Sequence, residues 1–202
     1  MMDRNKTKTY NYLQKAHDFL QDLCGEQYVR YCREDDPYGR DETMGLYYPF
    51  DLLVKPGTSE EVAAILAYCN DHAIPVTPRG GGSGVSGGAL PVKKGLLVSL
   101  ERLNKMLDVN LANRTITVES GVITAAIESA LAGTGFAYPI MPGSKEYSFI
   151  GGNVAENAGS PYSFKYGSVK DYVLNLQVAL PDGTLLWTGA GVSKNADRKS
   201  VV

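Results

Sequence analysis

Between Gly80 and Gly88 the chain places six glycines, with Ser83 and Ser86 among them. Glycine weakens regular structure and has no side chain to bury, so such a cluster does not serve packing. Its use is access to the main chain. Residues free to take positive φ turn successive N–H groups into one concavity, a nest suited to phosphate or diphosphate. Each charge-assisted hydrogen bond contributes roughly 1.5–3 kcal/mol, so a few of them to one diphosphate offset the entropy of ordering a ligand. Ser83 and Ser86 add hydroxyl donors, and Arg79 stands at the head of the loop. A flexible Gly/Ser linker is the competing reading. It is weakened by Pro78 and Pro91, which bracket the loop, and by patterned segments on both sides.

The run Gly82-Ser83-Gly84-Val85-Ser86-Gly87 fits the G-x-G-x-x-G dinucleotide fingerprint and follows a strand pattern. In a Rossmann unit, however, the third glycine lies at the start of a helix whose N-terminus takes the diphosphate. Here Gly88-Ala89-Leu90-Pro91 leads to Lys93-Lys94-Gly95 and a strand, so no helix is expected. A Walker loop is excluded because no G-K-[ST] occurs.

A second backbone-exposing constellation lies downstream. Pro139-Ile140-Met141-Pro142-Gly143-Ser144 reads as a rigid turn, and Ser148-Phe149-Ile150-Gly151-Gly152-Asn153-Val154-Ala155-Glu156-Asn157-Ala158-Gly159 follows. The four-residue interval between Asn153 and Asn157 predicts both amides on one helical face above small residues, which a flat ring or a diphosphate could approach closely. A role as turn and cap residues alone stays open.

The elements that must position these loops are legible from periodicity. Residues 9–23 carry one apolar helical face through Tyr12, Leu13, Ala16, Phe19, Leu20 and Leu23. Residues 25–48, charged and aromatic, read as a short helix and then a surface loop. A short strand at 51–56 precedes Thr58-Ser59-Glu60-Glu61, a capping box that opens a helix with Val62, Ile65, Leu66 and Cys69 on one face. Ile74-Pro75-Val76-Thr77-Pro78 returns as a strand, completing a β-α-β unit that ends at the glycine loop. Beyond it are a strand at 95–100, a hairpin pairing 106–109 with 114–119 across Asn113, and a helix over 124–132 burying Ile127, Ala130 and Leu131. A second hairpin joins 173–180 to 184–187 through Asp182-Gly183. Local β-α-β and hairpin connections together indicate α+β architecture rather than a doubly wound sheet.

Composition removes other classes. Twenty basic against 22 acidic residues give a net charge of -2, with no basic block to track a nucleic-acid backbone. No apolar run approaches the roughly 18 residues of a membrane span, so no transmembrane segment is expected. Cys24, Cys32 and Cys69 show no C-x-x-C spacing and are read as reduced thiols; His17 and His72 fall in helical pattern as packed or solvated side chains. No metal ligand set is expected. Without an apolar signal core at the N-terminus, a cytoplasmic location is the default, with peripheral association at the inner membrane face left open.

Taken in order, Pro78-Arg79-Gly80-Gly81-Gly82-Ser83-Gly84 through Gly87-Gly88, the 150–159 motif, Lys165-Tyr166-Gly167 and Asp171-Tyr172-Val173-Leu174 closely resemble the FAD-linked oxidases of the vanillyl-alcohol-oxidase type. The nearest subgroup is that of D-lactate dehydrogenase and the FAD subunit of glycolate oxidase. The likeness runs over residues 48–196. It implies an α+β, PCMH-type, two-lobed FAD-binding domain, incomplete at its C-terminal side. A small β-α-β lobe lies near 51–97, and a larger lobe of mixed and antiparallel sheet with helices begins near Leu100. Residues 1–47 stand outside it as an N-terminal helical segment.

By the same resemblance, Pro78, Arg79, Gly80, Gly81, Gly82, Ser83, Gly84, Ser86 and Gly87 cradle the FAD diphosphate. Pro142, Gly143, Ser144, Ser148, Gly151, Gly152, Asn153 and Asn157 line the diphosphate, ribitol and flavin edge, with Tyr166 and Gly167 closing the site. Relatives that tether FAD covalently place a histidine just after the first glycine cluster, where this chain has Ser83, so noncovalent FAD is expected. Ser160 stands where the nearest relatives have glycine. The family acts on a small 2-hydroxy acid by hydride transfer to FAD and hands electrons to an acceptor or partner subunit. Its substrate domain and catalytic residues follow the region matched here, so no catalytic residue is expected in this chain, and the fragment alone is expected to lack turnover. Residues 197–202 fit nothing in the family; read as GAT CGG AAG AGC GTC GTG they begin a common sequencing adapter, and an artefactual tail is expected.

Overall fold

The computed structural model describes residues 4–189, with side chains from residue 13 onward; the expected artefactual tail at 197–202 lies outside the described residues. Helix α1 (Arg4–Cys24) begins earlier than the 9–23 predicted, buries Ala16, Leu20 and Cys24 along its apolar face, and stops at Gly25, whose φ is 98°.

The region 25–48 departs from expectation. Rather than a short helix and a loop, a 3-10 turn at Glu26–Tyr28 leads into strand β1 (Val29–Tyr31), and a second 3-10 turn at Pro37–Gly39 follows. Strand β1 pairs antiparallel with β2 (Leu52–Val54) in the register Val29↔Val54. The N-terminal segment is thus not helical alone; it supplies an edge to the sheet. A three-residue strand has too few positions to show a period of two.

Helix α2 (Ser59–Asp71) is capped by Thr58, whose Oγ1 accepts from the Glu61 N–H at 3.1 Å. The return bond of the expected box is shifted by one residue: Glu61 Oε2 accepts from the Gly57 N–H at 2.7 Å. The helix hands over to β3 (Val76–Arg79), and β4 (Leu96–Ser99) follows the glycine loop. The sheet order is β1-β2-β4-β3, with β2 and β3 both parallel to β4. The β-α-β crossover therefore leaves a gap that β4 fills.

Alternation along the central strands sorts the core. Leu52, Val54, Leu96 and Val98 pack against α1 and α2 with Leu20, Ile65 and Cys69, while Leu53 and Leu97 face the opposite side with Phe50 and, beside them, Tyr38. Each fully buried aliphatic side chain contributes about 1.5–3 kcal/mol. Burial pushes the Cys24 and Cys69 thiols up to about 12, so both are neutral packing groups.

The second part contains the hairpin β5 (Met106–Asn110) and β6 (Thr115–Val118), with Arg114 turned to φ 55°, then α3 (Thr124–Leu131) and α4 (Ile150–Ala155). Helix α3 buries Thr124 and Ile127, whereas Ala130 and Leu131, expected inside, are half-buried at its C-terminal end. A four-residue helix α5 (Ser163–Tyr166) and a hairpin of β7 (Gln177–Ala179) with β8 (Leu185–Trp187) complete the described residues; β7 is shorter than the 173–180 expected. The hairpin seats on α2, with Gly183 so close to Ala63 and Ala67 that a Cβ there would stand 2.9 Å from the Ala67 Cβ. Among the described residues no helix is long and apolar enough to cross a membrane and no group of His, Cys, Asp and Glu could hold a metal ion.

Candidate cofactor site

Strand β3 ends at Arg79, and the chain runs from there through the glycine loop to Leu90 without entering a helix. The loop uses its carbonyls and leaves its amides free. The Gly84 carbonyl accepts from the Glu42 N–H at 3.1 Å and the Gly87 carbonyl from the Leu90 N–H at 3.1 Å, but among the described residues no N–H of residues 80–88 donates to any other protein atom. Gly82 and Gly87 take φ of 71° and 78°, conformations that turn neighbouring amides toward one side.

At the head of the loop, Arg79 is buried, 9% exposed, and its Nη1 has no hydrogen-bond partner. Burial pulls its guanidinium below the ordinary arginine range, a shift opposed by the charges of Tyr38, Asp41, Asp36 and Glu101. The guanidinium lies directly against Gly82, where a Cβ would come within 2.1 Å of Nη2. A buried cation with a donor to spare is costly unless an anion meets it.

The second turn converges on the first. A Cβ on Gly81 would stand 2.2 Å from the Tyr147 carbonyl oxygen, and one on Gly80 would touch Phe149 and the Cα of Gly152. Farther along, the Ser86 hydroxyl donates to Glu156 Oε2 at 2.8 Å. A cleft of about 180 Å³ opens between the two segments, lined by Tyr38, Arg79, Gly80, Gly81, Glu101 and Phe149 among others.

Individual residues sort differently from the expectation. Ser148 and Asn153 are buried, 1% and 6% exposed, and both are committed to Thr124: Asn153 Nδ2 donates to its Oγ1 at 2.6 Å, and the Ser148 and Thr124 hydroxyls bond at 2.9 Å. They hold the turn in place. Asn153 and Asn157 do not share a helical face, because α4 ends at Ala155 and Asn157 turns to φ 50°, with its Oδ1 accepting from the Lys170 N–H at 3.1 Å. Gly151 is a packing glycine against Ser120, whereas Gly152 and Gly143 meet open space. Pro142 and Ser144 form the turn proper, their carbonyls accepting from Lys145, Tyr147 and Ser148. The Ser86 hydroxyl, read as a ligand donor, ties the loop to Glu156. Tyr166 and Gly167 end α5, where the Tyr166 carbonyl accepts from Tyr172 Oη at 2.6 Å and the Gly167 backbone lies against Asp171.

Tyr38, Glu101 and Thr124 carry no local signal in the sequence. Tyr38 Oη donates to Glu101 Oε2 at 2.6 Å, and Lys55 Nζ donates to Glu101 Oε1 at 2.6 Å. Burial would raise the Glu101 carboxyl, but hydrogen bonds from Lys55, Tyr38 and Ser99 outweigh it and hold it below the ordinary carboxylate range. The third is Thr124. Partners 46, 63 and 29 positions apart in the chain meet only through the sheet and the α3–α4 packing.

Free amides, a spare buried guanidinium donor and glycines that admit no Cβ fit a diphosphate held by main chain. Comparison with known proteins bears on the rest of the ligand. Residues 50–189 match the family described as FAD binding domain. The chain is 44% identical over 140 residues to an uncharacterized FAD-linked oxidoreductase of Mycobacterium tuberculosis, covering 69% of this chain and 30% of that protein. It is 39% identical over 171 residues to a D-lactate dehydrogenase of Archaeoglobus fulgidus (83% and 38%). With the glycolate oxidase subunit GlcD of Bacillus subtilis it shares 36% over 158 residues (78% and 34%). The chain spans about a third of the length of these relatives. Among solved structures, alkyldihydroxyacetonephosphate synthase shares the fold with a TM-score of 0.77 at 23% identity, covering 89% of this chain and 39% of that one. The 4-ethylphenol oxidase from Gulosibacter chungangensis superposes with a TM-score of 0.74 at 25% identity (93% and 36%).

Proposed function

The chain belongs to the FAD binding domain family, and on that premise we propose that it is the cofactor-holding part of a flavin-dependent oxidoreductase that oxidises a 2-hydroxy acid of the D-lactate or glycolate type. The observation that carries the reading is the pairing of free loop amides at residues 80–88 with the unpartnered Nη1 of Arg79. Main-chain donors and one fixed cation together suit a diphosphate. Relatives named as D-lactate dehydrogenase and glycolate oxidase subunit support the substrate class.

Bound FAD would supply the redox chemistry, as a two-electron acceptor for the substrate whose electrons pass on to a further acceptor. The protein's part is to bind and orient. The glycine loop and Arg79 take the diphosphate; the Gly143-Ser144 turn and the backbone around Gly152 lie along the rest of the cofactor; Ser148 and Asn153 fix that backbone through Thr124. Tyr166 and Gly167 close the far side. Attachment is noncovalent in this reading, with Ser83 in the glycine loop where a covalent tether would need a histidine. Domain limits follow the same reading, with 48–196 forming the FAD-binding unit and residues 197–202 foreign to it. The unit holds FAD without turning over substrate.

Anaerobic absorbance spectra of the full-length protein test this. The flavin bands should bleach on adding D-lactate or glycolate, and acid precipitation should leave all yellow colour in the supernatant. Unbleached flavin with every small 2-hydroxy acid tried removes the substrate class, while colour in the pellet removes noncovalent binding. The word subunit in the name of the glycolate oxidase relative favours a second reading, in which a partner chain completes the site; bleaching only after the partner is added selects it.

A further inference from the structure

Tyr38 lies outside the family match at 50–189, yet its ring is the hub of the charges behind the glycine loop. Three cations surround it: Lys55 Nζ at 5.1 Å from the ring centroid, Arg79 Cζ at 5.4 Å and Arg30 Cζ at 5.6 Å. Two of the three have their own carboxylates. Arg30 grips Asp36 through both terminal nitrogens, Nη1 to Oδ2 and Nη2 to Oδ1, and Lys55 bonds Glu101. Arg79 is in no ion pair among the described residues. Asp36 and Glu101 are each matched, whereas Arg79, which feels the charge of Asp41 without bonding to it, borders the cleft with its Nη1 unpartnered.

The same stretch of chain is tied to the loop a second time, by the Glu42 N–H on the Gly84 carbonyl. Tyr38 itself cannot drift. Its hydroxyl is fixed on Glu101, and its N–H donates to Asp36 Oδ1 at 3.1 Å.

We propose that Tyr38 is the positioning residue for Arg79: its ring holds the guanidinium beneath Gly82 and so keeps the Arg79 charge at the cleft for the diphosphate of the cofactor. The inference rests on the FAD reading above. It assigns to the segment ahead of the FAD-binding unit a share of the selectivity for a dinucleotide over a flavin without phosphate. Cation–ring contacts strengthen as water is removed, so the effect is largest at a buried guanidinium such as this one.

The test uses the full-length protein stripped of flavin, titrated with FAD and, separately, with riboflavin. Tyr38→Leu should weaken FAD roughly tenfold and leave riboflavin affinity unchanged. Inorganic pyrophosphate should compete with FAD more weakly by the same factor. Tyr38→Phe keeps the ring and should restore FAD affinity to within about threefold of the parent. Equal loss of FAD and riboflavin in Tyr38→Leu, an unchanged FAD affinity, or a Phe variant as weak as the Leu variant would each overturn the proposal while leaving the FAD reading intact. A parent protein that binds no FAD overturns both.

Discussion

The carbonyl oxygen of Tyr147 occupies the space a side chain on Gly81 would need, 2.2 Å from where its Cβ would stand. Two loops far apart in sequence are therefore in backbone contact, and the gap between them is set by a missing atom. Distances below 3.0 Å to backbone cannot be relieved by rotating a side chain, so any substitution at Gly81 must part the loops. We expect Gly81→Ala to cost about 1–3 kcal/mol and to lower FAD affinity at least tenfold. Gly81→Val should abolish retention of yellow cofactor while far-UV circular dichroism stays near the parent. A Gly81→Val protein purified fully yellow would show that the two loops do not form the site.

Thr124 has a similar hidden part. Its single hydroxyl meets Ser148 and Asn153 in a dry setting, where unmet donors are costly. Thr124→Val has nearly the same shape but strands Asn153 Nδ2 and the Ser148 hydroxyl, so it should destabilise by about 2–4 kcal/mol. Thr124→Ser should recover most of that. Urea unfolding of the three proteins measures it, and a Val variant within about 0.5 kcal/mol of the parent would mean water satisfies the pair.

How much of this was legible depended on the range of the interaction that fixes each element. The glycine loop, α2 and the Asp182-Gly183 hairpin announce themselves because glycines, prolines and a Thr58 cap act within a few residues of where they stand. The β-α-β unit was legible for the same reason. Strand β1 was not, since Val29–Tyr31 becomes a strand only by lying against β2. The site divides along the same line. Main-chain groups of residues 80–88 follow from composition, but whether a polar side chain faces the cleft or the core does not. Asn153 and Ser148 turn inward because Thr124 waits there, and Asn157 leaves the helix because α4 ends two residues before it. Tyr38 and Glu101 sit in unremarkable local sequence and acquire a role only when the sheet brings them together.

Asp36 sets the acid limit of this region. It is 1% exposed, and burial alone would raise its carboxyl; bonds from Arg30, the Arg33 N–H and the Tyr38 N–H outweigh this and hold it below the ordinary range. A carboxyl depressed in the folded state binds its proton more readily when unfolded, so its stabilisation is present above about pH 4 and is lost as pH falls through the folded value. Asp36→Asn should cost about 2–4 kcal/mol near neutrality by leaving Arg30 unpaired. Its stability should also fall less steeply than the parent's between about pH 5 and pH 2. Melting temperatures across that range check the sign: the gap between the two proteins must narrow toward acid, and a constant gap would assign the acid sensitivity to other carboxylates.

Glu156 poses the opposite question, because it is a carboxylate placed beside the loop proposed to hold an anion. Its Oε2 accepts from Ser86, and its Oε1 would stand 2.5 Å from a Cβ on Gly88. Two effects compete when it is changed. The bond to Ser86 steadies the loop, but both partners are exposed, so it contributes little more than about 1 kcal/mol. The negative charge repels a diphosphate only a few residues away along the loop. Glu156→Gln keeps an acceptor for Ser86 and removes the charge, so repulsion alone is relieved, and FAD should bind about two- to threefold more tightly at low ionic strength. The gain should vanish by about 0.5 M salt, where screening extends only a few ångströms. Glu156→Ala loses the bond as well, and its affinity should return to that of the parent or below. Titrating FAD into the apo forms of the parent and the two variants at low and high salt separates the terms. A Gln variant that binds no better than the parent at low salt would place the diphosphate away from this end of the loop, nearer Arg79 and Gly81.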